Sequence, residues 1–402
     1  MNLIVPEGTH TSQLDIDEEK SPSARTETER YTVDTTKSNV YSQIDSSKSQ
    51  SSRKLSNKYN TSKQSNTFWL DQELHPFRIH YDDISFKRLL HSGYAQTSKT
   101  RRTSFHKSTH YETWLGQMYK KGTQHRFVVL KWLVHADYDS LNASFHNSMW
   151  PFRPRNASNT SPDLDRLNVF KSELYRQVRI QHPHITTLYG VSWTPKTNLI
   201  AITEYLSGGN LRQFVQRASI HKTARCWNTQ KLQIAYDTTL ALQYLHQFNP
   251  PIVHSNCNSR NVLLSSDMRA KLSDCGRTRQ PTLTDLKNYD LEVGSCRWIA
   301  PEVLVGKNAC TEAADIYSLG IILVELDTLD FPFSDLLSAD RSPVPEIQVL
   351  HLIASGAMSP TLSSSCPTSL CRVIERCTRP DPFQRPNSSD VLLVLGELIN
   401  LM

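Results

Sequence analysis

The sequence predicts an α+β fold in two lobes, a small β-rich lobe with one key helix followed by a larger, mostly helical lobe. Three observations carry this expectation. Short segments of alternating or branched character at 84–90, 111–120, 124–133, 186–191 and 198–203 fit five strands. Between the third and fourth of these, residues 169–178 have helical spacing, and His182-Pro183-His184-Ile185 ends the helix. From about residue 206 onward helical spacing dominates: 210–215 begins it, 227–247 is one long helix with apolar residues recurring from Leu232 to Leu245, and the pattern continues to Leu401.

Taken in order, residues 1–66 are dominated by Ser, Thr, Lys, Asp, Glu and Gln. They hold too little apolar surface to offset the entropy of ordering, so a disordered tail is expected. Order is expected to begin near Phe68-Trp69-Leu70, with the domain proper from about residue 78. Two long insertions interrupt the small lobe, at 96–110 and 135–166; both exceed ordinary connections. The chain of 402 residues has room for one two-lobed domain plus a tail, and a hydrophobic content of 38% supports a core. A net charge of +6 with both signs mixed gives no reason to expect nucleic acid as a partner. The eight cysteines begin at Cys226 and form no C-x-x-C pair, which suits free thiols in a reducing, cytoplasmic setting. No apolar run reaches the length of a membrane span, the opening eight residues lack the pattern of a signal peptide, and the longest apolar segment, 319–326, is expected as a core helix.

Six short motifs follow one another along the chain. They are Val128-Val129-Leu130-Lys131, the octapeptide His254-Ser255-Asn256-Cys257-Asn258-Ser259-Arg260-Asn261, Asp274-Cys275-Gly276, Ala300-Pro301-Glu302, Asp315-Ile316-Tyr317-Ser318-Leu319-Gly320, and Arg385-Pro386. Their order and intervals resemble the signature set of protein kinases. Gly294 to Ile299 and Thr203-Glu204-Tyr205 resemble the tyrosine-kinase-like serine/threonine group. The resemblance covers 78–400, with an N-lobe of 78–205 and a C-lobe of 206–400. It implies the protein kinase fold, with ATP and Mg²⁺ as cofactors and other signalling proteins, an active kinase among them, as partners.

The resemblance also implies roles. Lys131 holds the α/β-phosphates and Glu173 positions it by an ion pair. Gly93 is the surviving glycine of the phosphate loop. Thr203 backs the nucleotide pocket, the backbone of Glu204 and Leu206 meets adenine, and Leu263 belongs to the same site. Asn261 and Asp274 are the metal ligands, their hard oxygens suiting magnesium. Glu302 with Arg385 braces the large lobe, and Asp315 ties down the catalytic loop. That loop, His254 to Asn261, departs from its pattern where chemistry is concentrated. Asn256 stands where the catalytic aspartate belongs, and a neutral amide cannot accept the acceptor hydroxyl's proton. Ser255 replaces the arginine of the H-R-D motif, Asn258 replaces the lysine that neutralises the γ-phosphate, and Cys275 replaces a phenylalanine. Three readings stay open: a pseudokinase acting as scaffold or allosteric regulator, a weakly active kinase, and an interaction module independent of nucleotide. Arg101-Arg102-Thr103-Ser104 adds a phosphorylation site, expected to act on nucleotide occupancy through Ser104.

Overall fold

The computed structural model describes residues 73–92, 111–119, 125–133, 161–193, 199–220, 226–275, 296–306, 311–338 and 341–402. The expected tail 1–66, Phe68-Trp69-Leu70, Gly93, Gly276, Gly294-Ser295, the 96–110 insertion with Ser104, and residues 135–160 of the second insertion lie outside the described residues.

The small lobe is a five-stranded antiparallel sheet in the order β1-β2-β3-β5-β4, from β1 (Ile84–Ser92), β2 (Tyr111–Met118), β3 (Arg126–Leu133), β4 (Leu188–Ser192) and β5 (Ile200–Glu204). Alternation along the strands divides the side chains between two faces. Val128, Leu130 and Trp132 of β3 join Ile84, Ile200 and Ile202 in one buried cluster. Val129 and Lys131, of opposite parity, face the interlobe cleft together with Ala201 and Thr203 of β5. Helix α1 (Ser161–Gln177) packs Leu167, Phe170 and Leu174 against Leu133, Val191, Trp193 and Ala201. The helix begins eight residues before the expected Val169, so the last six residues of the expected insertion are helical. Pro162 sits in the first turn, where its missing N–H has no helical partner to lose.

The large lobe carries a small sheet, β6 (Gly209–Asn210), β7 (Val262–Leu264) and β8 (Ala270–Leu272), beneath the cleft. Its helices are α2 (Leu211–Ile220), α3 (Thr229–His246), α4 (Pro301–Leu304), α5 (Glu312–Thr328), α6 (Glu346–Ala354), α7 (Thr368–Cys377) and α8 (Ser388–Asn400). Asn228 caps α3 by accepting the Lys231 N–H, and Asn387 with Asp390 forms a reciprocal capping box on α8. Helix α5 is the axis of the core: every residue from Ala314 to Asp327 is buried, including the expected 319–326 segment. Among the described residues no helix is long and apolar enough to cross a membrane.

Gly320 lets α5 approach the end of α7 closely. A Cβ there would stand 2.8 Å from Cys377 Cβ and 2.8 Å from Thr378 Cγ2. Gly320→Ala is therefore expected to destabilise by about 1–3 kcal/mol, although alanine is the better helix former. Urea unfolding checks it, and a midpoint equal to or above wild type refutes the close-packing account.

Candidate functional site

Three charged groups from distant parts of the chain converge at the back of the cleft. Lys131 is delivered by β3, Glu173 by α1 and Asp274 by the segment after β8. Lys131 Nζ lies 3.0 Å from Asp274 Oδ1 and 3.5 Å from Glu173 Oε2. The ammonium also sits 4.7 Å from the Tyr111 ring centroid and 5.9 Å from that of Phe170, whose faces favour a cation. Phe170 and Leu174 anchor α1 in the small-lobe core, which fixes the turn carrying Glu173. Asp274 adopts a left-handed φ of 57° without being glycine, a conformation that needs outside support. Its predecessor supplies part of that support, since Ser273 N donates to Asn261 O at 2.8 Å.

The octapeptide loop is held from below by Asp315 of α5. His254 N and Ser255 N donate to its two carboxylate oxygens at 2.7 and 3.0 Å. His246 Nε2 is 3.0 Å from the same carboxylate. These bonds support Ser255 at a left-handed φ of 61°. Within the loop, Asn256 N donates to His254 Nδ1 at 3.2 Å, and His254 Nε2 lies 3.0 Å from Ser273 O. One nitrogen accepts and the other donates, so His254 is a neutral imidazole protonated at Nε2. Asn258 Oδ1 accepts the Arg260 N–H at 3.0 Å, and Asn258 Nδ2 donates to Asn256 O at 3.0 Å and Asn256 Oδ1 at 3.2 Å. Asn261 Nδ2 donates to Asn256 O at 2.8 Å.

The cleft between the lobes has a volume of about 1390 Å³. Lys131, Glu173, Thr203, Glu204, Leu206, Asn256, Asn258, Asn261, Leu263 and Asp274 all line it. His254, fully buried, acts from beneath through its hydrogen bonds. Cys275 lines the cleft from a buried position, where burial first and the Asp274 charge second push its thiol well above the usual range. It behaves as an apolar filler there, not as a nucleophile.

Sequence reasoning missed three features of the site. Lys271 of β8 bonds both carboxylate oxygens of Glu204 at 2.9 Å, and Thr187 N donates to the same carboxylate at 2.7 Å. Arg260, inside the octapeptide, is exposed on the cleft rim; its place in the motif was the available signal. Glu325 of α5 is wholly buried and accepts from Ser259 Oγ at 2.9 Å, Trp298 Nε1 at 2.8 Å and Arg212 Nη1 at 3.4 Å. Burial raises the Glu325 carboxyl to about 7, against the opposing pull of Ser259, Arg212 and Trp298. A carboxyl raised on folding contributes stability below its unfolded value of 4.5, and that contribution is lost as pH climbs towards 7. Wild type is expected to lose roughly 2–3 kcal/mol across that window from this group. Glu325→Gln should flatten the slope, read by urea midpoints at several pH values; an unchanged slope refutes the assignment.

At the far end of the lobe, Arg385 Nη1 and Nη2 bond Glu302 Oε1 and Oε2, both at 2.7 Å; Nη1 also donates to Ala313 O, Nη2 to Pro380 O and Nε to Arg379 O. Both residues are buried.

The chain is 31% identical to the serine/threonine-protein kinase CTR1 of Arabidopsis thaliana over 235 residues, which cover 58% of this chain and 27% of that one. It is 32% identical to the serine/threonine/tyrosine-protein kinase HT1 of Arabidopsis thaliana over 226 residues, covering 56% and 54%. With the serine/threonine-protein kinase TNNI3K of Homo sapiens the identity is 28% over 246 residues, covering 61% and 28%. The chain thus spans between about a quarter and about half the length of these relatives. The family profile described as protein tyrosine and serine/threonine kinase matches residues 158–395. Strands β1 to β3, with Lys131, precede that match and are joined to the site by geometry. With more than half of its length matched and the lobes arranged around the cleft just described, the chain belongs to the protein tyrosine and serine/threonine kinase family.

Proposed function

We propose that this chain is a pseudokinase, a kinase-fold scaffold or allosteric regulator of other signalling proteins, an active kinase among them, that holds ATP and magnesium weakly and does not transfer phosphate. One observation carries the reading. The residue in the base position is Asn256, and its amide oxygen is engaged by Asn258 Nδ2. An amide oxygen is barely basic, and this one already accepts a hydrogen bond, so the loop has no group to take the acceptor's proton.

Kinases generally use ATP with magnesium, and the residues present fit that pair. Asp274 and Asn261 line the cleft with oxygen donors and are linked through Ser273, whose N–H and Oγ both reach Asn261 O. Lys131 would meet phosphate oxygens and the backbone of Glu204 to Leu206 a purine edge, a reading supported by their shared place on the cleft lining with the apolar Leu263, Val129 and Ala201. When bound, ATP supplies a phosphoryl group whose charge magnesium neutralises. The protein's own groups orient and shield it: Glu173 holds Lys131 in place, and Asp315 holds the loop below. The intact Lys131–Glu173 pair favours the second reading, a weakly active kinase, to the extent that positioning alone accelerates transfer.

Thermal melting with ATP and magnesium separates these readings from a nucleotide-independent module. At a concentration about ten times Kd, binding adds about 1.4 kcal/mol, a shift of about 2–4 °C. Lys131→Met and Asp274→Asn are each expected to erase it. No shift at any ATP concentration favours the interaction module. Radiolabelled transfer separates pseudokinase from weak kinase.

A further inference from the structure

We propose that the acceptor end of this cleft binds a phosphorylated serine or threonine side chain, making the loop around Asn256 a reader of phosphopeptides. The proposal deepens the scaffold reading and rests on it, naming the partner's chemistry.

The inference starts from the direction in which two amides face. Asn258 Oδ1 accepts a backbone N–H, that of Arg260. This fixes the Asn258 amide with its NH₂ towards Asn256. Asn256 must then present Oδ1 to that NH₂, as the 3.2 Å contact records. Its own Nδ2, with two N–H bonds, is left on the other side, and Asn256 lines the cleft. Among the described residues no acceptor engages that Nδ2. The place that in an active kinase offers a negative acceptor to a hydroxyl here offers a neutral donor. A donor suits an incoming oxyanion, and a hydroxyl hydrogen finds nothing to accept it.

The charges around it agree. Five cations line the cleft, namely Arg88, Lys131, Arg212, Arg217 and Arg260, against three carboxylates, Glu173, Glu204 and Asp274. Each carboxylate is within 3.5 Å of a lysine ammonium, Lys131 or Lys271. All three lie on the nucleotide side. The acceptor end, from Arg212, Gln213, Gln216 and Arg217 of α2 to Ser255, Asn256, Asn258 and Arg260 of the loop, contributes cations and neutral amides and no carboxylate among its described lining residues. Arg260 and Arg217 are exposed there. Burial lowers the Arg212 pKa most, Glu325 and Asp330 oppose this, and the charge of Arg260 lowers it, which shows the two guanidinium groups lying within each other's field. Arg212 already faces Glu325 at 3.4 Å, so the exposed side chain of Arg260 is the one an incoming oxyanion would meet. A phosphomonoester brings nearly two negative charges and three acceptor oxygens, enough for Asn256 Nδ2 and an arginine together. An aspartate at 256 would set a carboxylate against it.

The test uses the full chain in nucleotide-free buffer. The probe is a degenerate peptide library with one fixed phosphothreonine, compared with the same library carrying threonine or glutamate at that position. Affinity for the phosphorylated library is expected to exceed both others by about tenfold. Asn256→Asp and Arg260→Gln should each remove most of that preference, while melting within about two degrees of wild type. Inorganic phosphate at high millimolar concentration should compete. Equal retention of the three libraries overturns the proposal. So does a preference that persists in both folded variants. If Asn256→Asp does not fold, Arg260→Gln, an exposed change, decides alone. Phosphotransfer measured on the same preparation reports separately on the scaffold reading: a chain that transfers phosphate yet prefers the phosphorylated library refutes that reading and not the site.

Discussion

Phosphotransfer by the purified chain, to itself or to generic acceptors, is expected to remain at background. Loss of a general base removes about 10²–10⁴ in rate. Asn258, in place of a lysine, withdraws a positive charge from the region where transition-state charge spreads, an electrostatic loss on top of the first. The two losses are structurally joined, because the Asn258 amide donates to the Asn256 amide. Asn256→Asp alone is therefore expected to recover only part of the rate: the new carboxylate regains basicity but keeps a neutral asparagine as neighbour where an ammonium belongs. Incorporation of labelled phosphate, with Lys131→Met as the control for contaminating kinases, measures this. Robust magnesium-dependent transfer by wild type that Lys131→Met abolishes would overturn the pseudokinase reading.

Replacing Arg385 by alanine is expected to cost about 3–5 kcal/mol, because it leaves the buried Glu302 charge without its partner. Three carbonyl oxygens, on Ala313, Arg379 and Pro380, lose their donors at the same time. Against a typical total of about 5–15 kcal/mol this is a large share, and melting should fall by about 5–8 °C. Arg385→Lys keeps a charge but not the two-pronged geometry, and is expected to fall in between. The double variant Glu302→Leu with Arg385→Met should recover much of the loss, since it removes both charges together. Calorimetry on the three variants checks the order. An Arg385→Ala protein that melts within about two degrees of wild type refutes the account.

How much of this was legible in the sequence follows from the range over which each signal acts. The strand at 124–133 and the motif ending in Lys131 are local signals; the structure adds that Lys131 shares the cleft face with Val129, opposite the buried Val128 and Leu130. The octapeptide's spacing placed Asn256 and Asn261 side by side, now joined by a 2.8 Å hydrogen bond. Helix α1 was expected to start at Val169 because 161–166 follows an Asn-, Ser- and Pro-rich stretch, whose composition masks the onset. The contacts that escaped are long-range. Lys271 and Glu204 are 67 positions apart, and Arg212 and Glu325 are 113 apart. No local periodicity encodes such a pairing; it exists only once Lys271 of β8 reaches the end of β5 and Arg212 of α2 reaches α5. The direction of the Asn256 amide likewise depends on the Asn258 amide, itself fixed by the Arg260 N–H, a chain of contacts that composition alone does not announce.

The hold of Asp315 on the loop has a consequence for recognition. Its carboxylate receives His254 N and Ser255 N from α5, a helix buried throughout from Ala314 to Asp327. The loop's backbone is thereby ordered by the core beneath it and not by whatever occupies the cleft above. A ligand that meets Asn256 finds its amide already bonded to Asn258 and the neighbouring backbone already hydrogen-bonded to α5, so little conformational freedom is given up at the moment of contact. Affinity for a small charged group can then come from a few hydrogen bonds and a modest contact area.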